Sequence, residues 1–474
     1  MRFEKHLRRI QKSSQSNINQ TLSLAQKSAE EAVYIPNGYF CSSVIESIYL
    51  KAASLIPAIE CDPVPNTVLH IMTRAYLTGG HTRVVERWIK FSKENECHSV
   101  LFIDHPQNES VPQWLMETVA RKSGSVFFLD EKDIIEKGAK LRQIAAKFQR
   151  IILHTHMEDG TPIIAFGTES FKTPVILFNH ADHVFWLGTS IADLVADIRK
   201  DNTTIEKRHS YGYYLGIPPT DELISQISEN ERLATRKELG IPDKAFVCVT
   251  TAPESKLEPI GCLDIKRLIK KLIKNNVFYI LIGPSYSNIV WRDIAEESNG
   301  HIKLLGSISN KYEYRKCLSC ANIYIGSFPM MSFTASQDAV QCGLPILQYR
   351  VLQQESHKDI YPEESEVVCN SINDLEEKVL RANKESAYYK QLVTESQNWL
   401  KNTFSQSDWV ERLYSLYDTC PSTHSIHKFT NSKREGVVIN DALVLNSFLY
   451  NQRFDYANKL LRGIAHLWIK FKLK

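Results

Sequence analysis

Long apolar runs are missing from this 474-residue chain. No stretch approaches the roughly 18 uninterrupted apolar residues that a membrane span needs. The first residues, Met1-Arg-Phe-Glu-Lys-His-Leu-Arg-Arg9, carry charge with no apolar segment behind them, which is not how a secretory leader reads. An excess of one charge sign is also missing: 57 Lys and Arg against 54 Asp and Glu leave a net of +3, too little for a general attraction to nucleic acid. The ten cysteines are scattered without a paired framework, as expected of reduced thiols in a cytoplasmic protein. The single CxxC, Cys317-Leu-Ser-Cys320, has no second pair and no histidines in matching spacing, so it reads as two buried helix thiols rather than a metal or redox site. A GxGxxG dinucleotide fingerprint is absent as well.

What is present is an α/β pattern, repeated once. The length exceeds the roughly 250 to 300 residues at which single cores split, so two domains are expected. Residues 1–62 read as a polar helical extension. Residues 63–210 carry short, continuously apolar strands at 66–72, 99–104, 125–130, 150–154 and 174–178, with helical segments between them. Strands of that kind belong in a parallel sheet covered on both faces. The Gly- and Pro-rich stretch 211–222 reads as a connection. Residues 223–372 repeat the pattern, with strands at 246–250, 278–282, 302–305, 323–325 and 346–347. Residues 373–418 are an amphipathic helical return, and 419–474 a polar linker followed by a basic amphipathic tail. Such a tail suits either docking on its own domain or peripheral contact with an anionic membrane surface at the cytoplasmic face. The fold class is therefore α/β, two Rossmann-like parallel-sheet domains with helical N- and C-terminal extensions.

In open α/β sheets ligands bind outside the carboxyl ends of the strands, and the polar clusters of this sequence fall there. In the second domain the stretch Ala321 to Leu347 reads as strand, hydroxyl-rich loop, helix from Thr334, Gly343 stop and strand. A helix N-terminus in that position offers unpaired N–H groups and a positive dipole end to a phosphate. Asp338, one turn in, can accept hydrogen bonds from sugar hydroxyls. Lys256, after the first strand of that domain, can meet a phosphate as a point charge. Gly283 and Ser309 lie in small-residue loops at the same edge. In the first domain Gly79, Gly80 and His81 open a helix, and two strands end in His154-Thr-His156-Met-Glu-Asp159 and Asn179-His180-Ala-Asp182-His183. Histidine titrates near neutrality and can take a proton from an attacking hydroxyl. A zinc site is a competing reading of these histidines, but their spacings match no closed site, and no metal is assigned.

The two Rossmann-like halves, the Gly-Gly loop, the Pro-rich hinge and the run Leu304-Leu-Gly306, Ile323-Tyr-Ile-Gly-Ser-Phe-Pro329, Thr334-Ala-Ser-Gln-Asp338-Ala-Val-Gln-Cys-Gly343-Leu-Pro345 together resemble a GT-B glycosyltransferase over roughly residues 66–415. Retaining members often carry two glutamates eight apart in this unit, where the present chain has Met330 and Asp338. The pattern is therefore more similar to inverting, O-GlcNAc-transferase-like branches. The resemblance implies a donor half and an acceptor half with chemistry in the cleft between them, and no cofactor beyond a nucleotide-sugar co-substrate, UDP-linked. It implies that Thr334 and Ser336 bind the diphosphate, Asp338 the ribose and Lys256 the leaving phosphate. His156, His180, Asp182 and His183 are then assigned to catalysis or acceptor binding, and His81 with Gly79 and Gly80 to the donor. The partners implied are a nucleotide-sugar and a glycan, lipid-linked or protein acceptor, in polysaccharide biosynthesis or glycosylation. A nucleotide-sugar epimerase and a non-catalytic accessory subunit are the alternatives.

Overall fold

The computed structural model describes residues 2–13, 17–34, 39–77, 80–182, 184–200, 208, 210–220, 227–259, 263–349 and 365–433. The chain separates into two compact units, Met1–Pro218 with Gln406–Gly436 and a second that runs from Pro219 to Ser405. The expected tail beyond residue 433 lies outside the described residues, as do Gly79 and His183. Among the described residues no helix is long and apolar enough to cross a membrane.

The first unit is built on β2 (Val64–Met72), β3 (Cys97–Phe102), β4 (Val126–Phe128), β5 (Phe148–His154), β6 (Val175–Asn179), β7 (Leu194–Asp197) and β8 (Gly212–Tyr214), with β1 (Tyr39–Cys41) standing apart. Among the described residues the main sheet has the order β4-β3-β2-β5-β6-β7-β8, and every pairing in it is parallel. The order reverses between β2 and β5, which makes that gap the place where an open sheet leaves room for a ligand. Neither β7 nor β8 was expected. β8 lies inside the stretch read as a connection, and the first segment of the first unit ends at Pro218, within the same stretch.

Residues 1–62 contribute three helices, Arg2–Ser13, Ile18–Tyr34 and Ser43–Ala53. The third begins at Ser42, whose hydroxyl accepts the Ile45 N–H, as an N-cap should. Four residues on, the fully buried Glu46 accepts the N–H groups of Gly188, Thr189 and Ser190 at 2.8–3.1 Å. The N-terminal segment thereby fixes the loop after β6. Arg142 does similar work on helix Ile134–Ala145. Its buried guanidinium donates to the carbonyls of Ala53, Ile56, Pro57, Ile164 and Ala165, so three chain segments share one cation.

After the second unit the chain returns with helix Gln406–Thr419. Trp409, Leu413, Leu416 and Tyr417 recur at the three-to-four spacing of an apolar stripe. They pack into the core of the first unit with Val68, Val84, Trp88, Ile152 and Phe178. Trp88 Nε1 donates to the Tyr417 hydroxyl at 2.9 Å. The stretch read as a polar linker is also docked. His424 is buried, with Nδ1 2.7 Å from Asp193 and Nε2 2.9 Å from the Phe166 carbonyl, and β15 (Ser432–Lys433) pairs antiparallel with β1.

The second unit holds β9 (Val247–Thr251), β10 (Phe278–Ile282), β11 (Ile302–Leu304), β12 (Ile323–Ile325), β13 (Ile346–Tyr349) and β14 (Val368–Cys369). Among the described residues they form a parallel sheet of order β11-β10-β9-β12-β13-β14. Its reversal falls between β9 and β12. Helix Ile265–Lys274 shows why the elements form: Asp264 caps it, and Ile265, Leu268, Ile269 and Leu272 make one buried face while the lysines face outward. These residues join Tyr279, Leu281, Trp291 and Ile325 in a single core.

Candidate functional site

Both reversal points carry the polar residues singled out by the sequence. In the second unit the loop after β9 becomes a short turn, Glu254–Lys256, and the loop after β12 leads into helix Phe333–Gln341. Lys256 joins the two. Its ammonium donates to the Met331 carbonyl at 3.1 Å and to the Ser332 hydroxyl at 3.2 Å, while its own carbonyl accepts the Met330 N–H. Ser332 is the N-cap residue, yet its side chain makes no cap bond with the helix. A cation and the positive end of a helix therefore converge on one hydroxyl. Burial lowers the Lys256 ammonium to a pKa of about 8, because desolvation disfavours its charged form.

The other donor-side candidates divide. Thr334 is half-buried in the first turn of the helix, and Asp338 is partly exposed one turn on. Burial and the neighbouring charge of Asp338 hold the Tyr314 hydroxyl well above its ordinary range, and Tyr314 donates to the Thr251 hydroxyl at the end of β9. Asp338 thus stands near the strand end. Ser336 does not face outward: it is buried, and its hydroxyl donates to the Ser332 carbonyl at 3.1 Å. Gly283 has φ +121°, and a Cβ there would come within 1.9 Å of the Ala252 carbonyl oxygen. That glycine lets the ends of β9 and β10 approach, a structural duty that requires the missing side chain. Its N–H donates to Gly306, whose N–H donates to Pro284. Ser309 is exposed in the loop after β11. Glu254, not anticipated, accepts from Ser285 N–H and Asn288 Nδ2 and so ties the β9 and β10 loops together.

In the first unit three histidines far apart in sequence come together. The His81 ring lies 4.5 Å from His180 and 6.2 Å from His156, centroid to centroid. His81 sits in the first turn of helix Gly80–Phe91, His156 just after β5 and His180 just after β6. Burial, followed by the proximity of His180 and His156, keeps His81 well below the usual histidine range. Its buried Nε2 has no hydrogen-bond partner. His156 Nε2 is 2.9 Å from the hydroxyl of Tyr76, an exposed residue that sequence reasoning missed. The Thr73 hydroxyl orders this loop by donating to Asp159 at 2.7 Å and accepting the His156 N–H at 2.9 Å. A cavity of about 10 Å³ lies beside His156 and His180, lined also by Asn179 and Trp186.

Asp182 belongs elsewhere. It was assigned to catalysis or acceptor binding, but it is buried in an ion pair with Arg199, whose charge satisfies it. Asp197, fully buried beside this pair, is pushed up to about 8 by desolvation and by the charge of Asp182. His154, one of the residues considered for zinc, directs Nε2 at another histidine, His70, 3.0 Å away. Among the described residues no group of three or more His, Cys, Asp or Glu side chains is placed to hold a metal ion.

No protein-family model matches the sequence, and no curated protein matches it. Solved structures do. HepE of Anabaena in complex with UDP-glucose is 12% identical, with a TM-score of 0.58 over 74% of this chain and 99% of that one. A mutant O-GlcNAc transferase of Thermobaculum terrenum is 12% identical, with a TM-score of 0.52 over 95% of this chain and 79% of that one. Sucrose-phosphate synthase of Thermosynechococcus elongatus is 13% identical, with a TM-score of 0.53 over 74% and 98%. The fold is that of the GT-B glycosyltransferases, two parallel-sheet α/β domains with helical additions.

Proposed function

We propose that the chain is a glycosyltransferase that moves a sugar from a nucleotide-sugar, UDP-linked, to a hydroxyl or amide acceptor, with inversion and without a metal ion. The observation that carries this reading is Lys256, whose ammonium is held against Ser332 at the start of helix Phe333–Gln341. Cleaving the bond between sugar and nucleoside diphosphate develops negative charge on the leaving phosphate. A fixed lysine and a helix N-terminus stabilise such charge without reorganising. In this reading Thr334 contacts the diphosphate and Asp338 accepts from the ribose hydroxyls. His156 and His180 serve the acceptor, with His81 beside them on the donor side, and a glycan, a lipid-linked sugar or a protein side chain all supply the required nucleophile. Two of the similar structures carry UDP-glucose or UDP with glucose, which supports UDP as the first nucleotide to test.

The test is calorimetric titration of UDP, UDP-glucose and UDP-N-acetylglucosamine, with and without EDTA. Binding is expected in both conditions and is expected to be lost in Asp338→Ala. Failure of every nucleotide-sugar to bind, or binding that needs a divalent cation, would count against the reading. The anomeric configuration of the product, read by NMR, decides between inversion and retention.

A further inference from the structure

One cation at the edge of the first sheet is left unmatched. Arg74 follows β2 at the reversal point between β2 and β5. The residue is partly exposed, its Nε is buried without a hydrogen-bond partner, and its two terminal nitrogens keep contact with solvent. Among the described residues the guanidinium makes no hydrogen bond or ion pair. Other arginines of this unit are matched. Arg83 pairs with Glu86 at 3.2 Å and lies over the Trp114 ring at 3.5 Å. Arg87 donates to the Pro218 carbonyl, and Arg199 pairs with Asp182. Two acids on the loops of the flanking strands are also taken. Asp104, after β3, pairs with Lys137 at 3.2 Å, and Asp159, after β5, accepts from the Thr73 hydroxyl at 2.7 Å and the Thr161 N–H at 3.0 Å.

The backbone that carries Arg74 is held on both sides. The Thr73 carbonyl accepts the Asp104 N–H and its hydroxyl accepts the His156 N–H, each at 2.9 Å. The Ala75 N–H donates to His105 Nδ1 at 3.3 Å, and the Tyr76 N–H to the hydroxyl of Thr82 at 2.8 Å, in the first turn of helix Gly80–Phe91. Two strand-end loops and a helix start therefore fix residues 73, 75 and 76. An arginine on so constrained a backbone loses little freedom when it binds.

A guanidinium is a planar fork that fits phosphate or carboxylate with two parallel hydrogen bonds. Half-desolvated and without a counter-charge, it carries a cost that a bound anion offsets. The positive end of helix Gly80–Phe91 favours the same sign of ligand.

We propose that Arg74 is an anion-binding residue of the acceptor site, and that the acceptor is an anionic sugar bearing a phosphate or a carboxylate. Its use by an acceptor rests on the transferase reading above. The donor diphosphate is assigned there to Lys256 and helix Phe333–Gln341 of the second unit, so an arginine of the first unit serves a different anion. Tyr76, two residues on, ties this segment to His156 through its hydroxyl. Arg74 thus holds the charged group of the molecule whose hydroxyl His156 receives. A neutral sugar leaves the guanidinium without its partner, which is how the site selects against it.

The experiment is calorimetric titration of glucose 6-phosphate, glucuronate and glucose into the full chain and its Arg74→Met and Arg74→Lys variants, at one ionic strength. In the unaltered chain at least one anionic sugar is expected to bind about tenfold to 150-fold tighter than glucose, the span of one charge-assisted hydrogen bond. The tighter of the two tells phosphate from carboxylate. Arg74→Met is expected to erase the preference, and Arg74→Lys, a point charge without the fork, to keep part of it. Both variants are expected to keep the melting temperature and the dissociation constant for UDP. Equal binding of the three sugars, no binding of any, or a preference that survives in Arg74→Met would overturn the proposal. So would a UDP affinity weakened about tenfold or more in Arg74→Met, which would move the residue to the donor, or a lowered melting temperature, which would assign it to the fold. Failure of UDP to bind the unaltered chain would sink the transferase reading, while the sugar titrations, which need no donor, still judge the anion site.

Discussion

Replacing Lys256 with methionine tests the donor assignment with two measurements that are expected to disagree. The substitution keeps the length of the side chain and removes its charge. It also removes two hydrogen bonds to neutral partners, the Met331 carbonyl and the Ser332 hydroxyl, which together contribute about 2 kcal/mol. Burial of the ammonium opposes that gain, since desolvation is what lowers its pKa to about 8. The net change in unfolding free energy is therefore expected to stay below about 2 kcal/mol in urea titration. The effect on UDP is different. A charge-assisted bond to phosphate contributes about 1.5 to 3 kcal/mol, so the dissociation constant for UDP is expected to rise about tenfold to 150-fold. The pH dependence supplies an internal control. Because the folded pKa lies below the unfolded one, the folded state binds fewer protons than the unfolded state between about 8 and 10.5, and unfolding free energy rises with pH across that window. The methionine variant lacks that rise. UDP affinity, which needs the charged ammonium, is expected to fall as pH climbs through about 8 in the unaltered chain only. A UDP affinity unchanged by the substitution would refute the assignment, whatever happens to stability.

Other substitutions probe the first unit. Asp197, pushed up to about 8, is protonated in the folded state where the unfolded chain is already ionised, so unfolding free energy falls as pH rises from about 4 to 8. Asp197→Asn should flatten that slope in melts at stepped pH, and an unaltered slope would show that the group ionises normally. Glu46→Ala leaves three buried N–H groups at residues 188–190 without their acceptor, at a cost of about 3 kcal/mol or more in chemical denaturation; a loss below about 1 kcal/mol would mean the loop finds other partners. His424→Ala removes the contacts to Asp193 and the Phe166 carbonyl and should speed tryptic cleavage after Lys428, a change absent if other contacts hold the segment.

Much of the fold was legible because buried parallel strands announce themselves as apolar runs, as Val68 to Met72 and Ile151 to Leu153 do. β7 was not, since only Leu194, Val195 and Ala196 are apolar between Asp193 and Asp197, and the strand gains its meaning from pairing with β6. The sequence placed His81, His156 and His180 each at a helix start or strand end, but their meeting was not legible, because His81 was assigned to the donor and the other two to the acceptor. Asp182 misled because sequence neighbours suggest contact, whereas its partner Arg199 stands 17 residues away. His70 gave no signal, because a histidine inside an apolar strand looks like an interruption until its register with the next strand is known. Ser332 was hidden among the hydroxyls of its loop and became distinct through Lys256.

The return of helix Gln406–Thr419 to the first unit sets an order of events during synthesis. Trp88, Val68 and Ile152 acquire Trp409, Leu413 and Tyr417 as neighbours after Pro219–Ser405 has been translated, which takes between about 10 and 40 s at roughly 5–20 residues per second. At the end of that interval the nascent first unit still lacks the apolar stripe of helix Gln406–Thr419, while Pro219–Ser405 of the second unit is complete. The later half of the chain is thus expected to fold first, and a nascent chain released before residue 406 to be a client of chaperones.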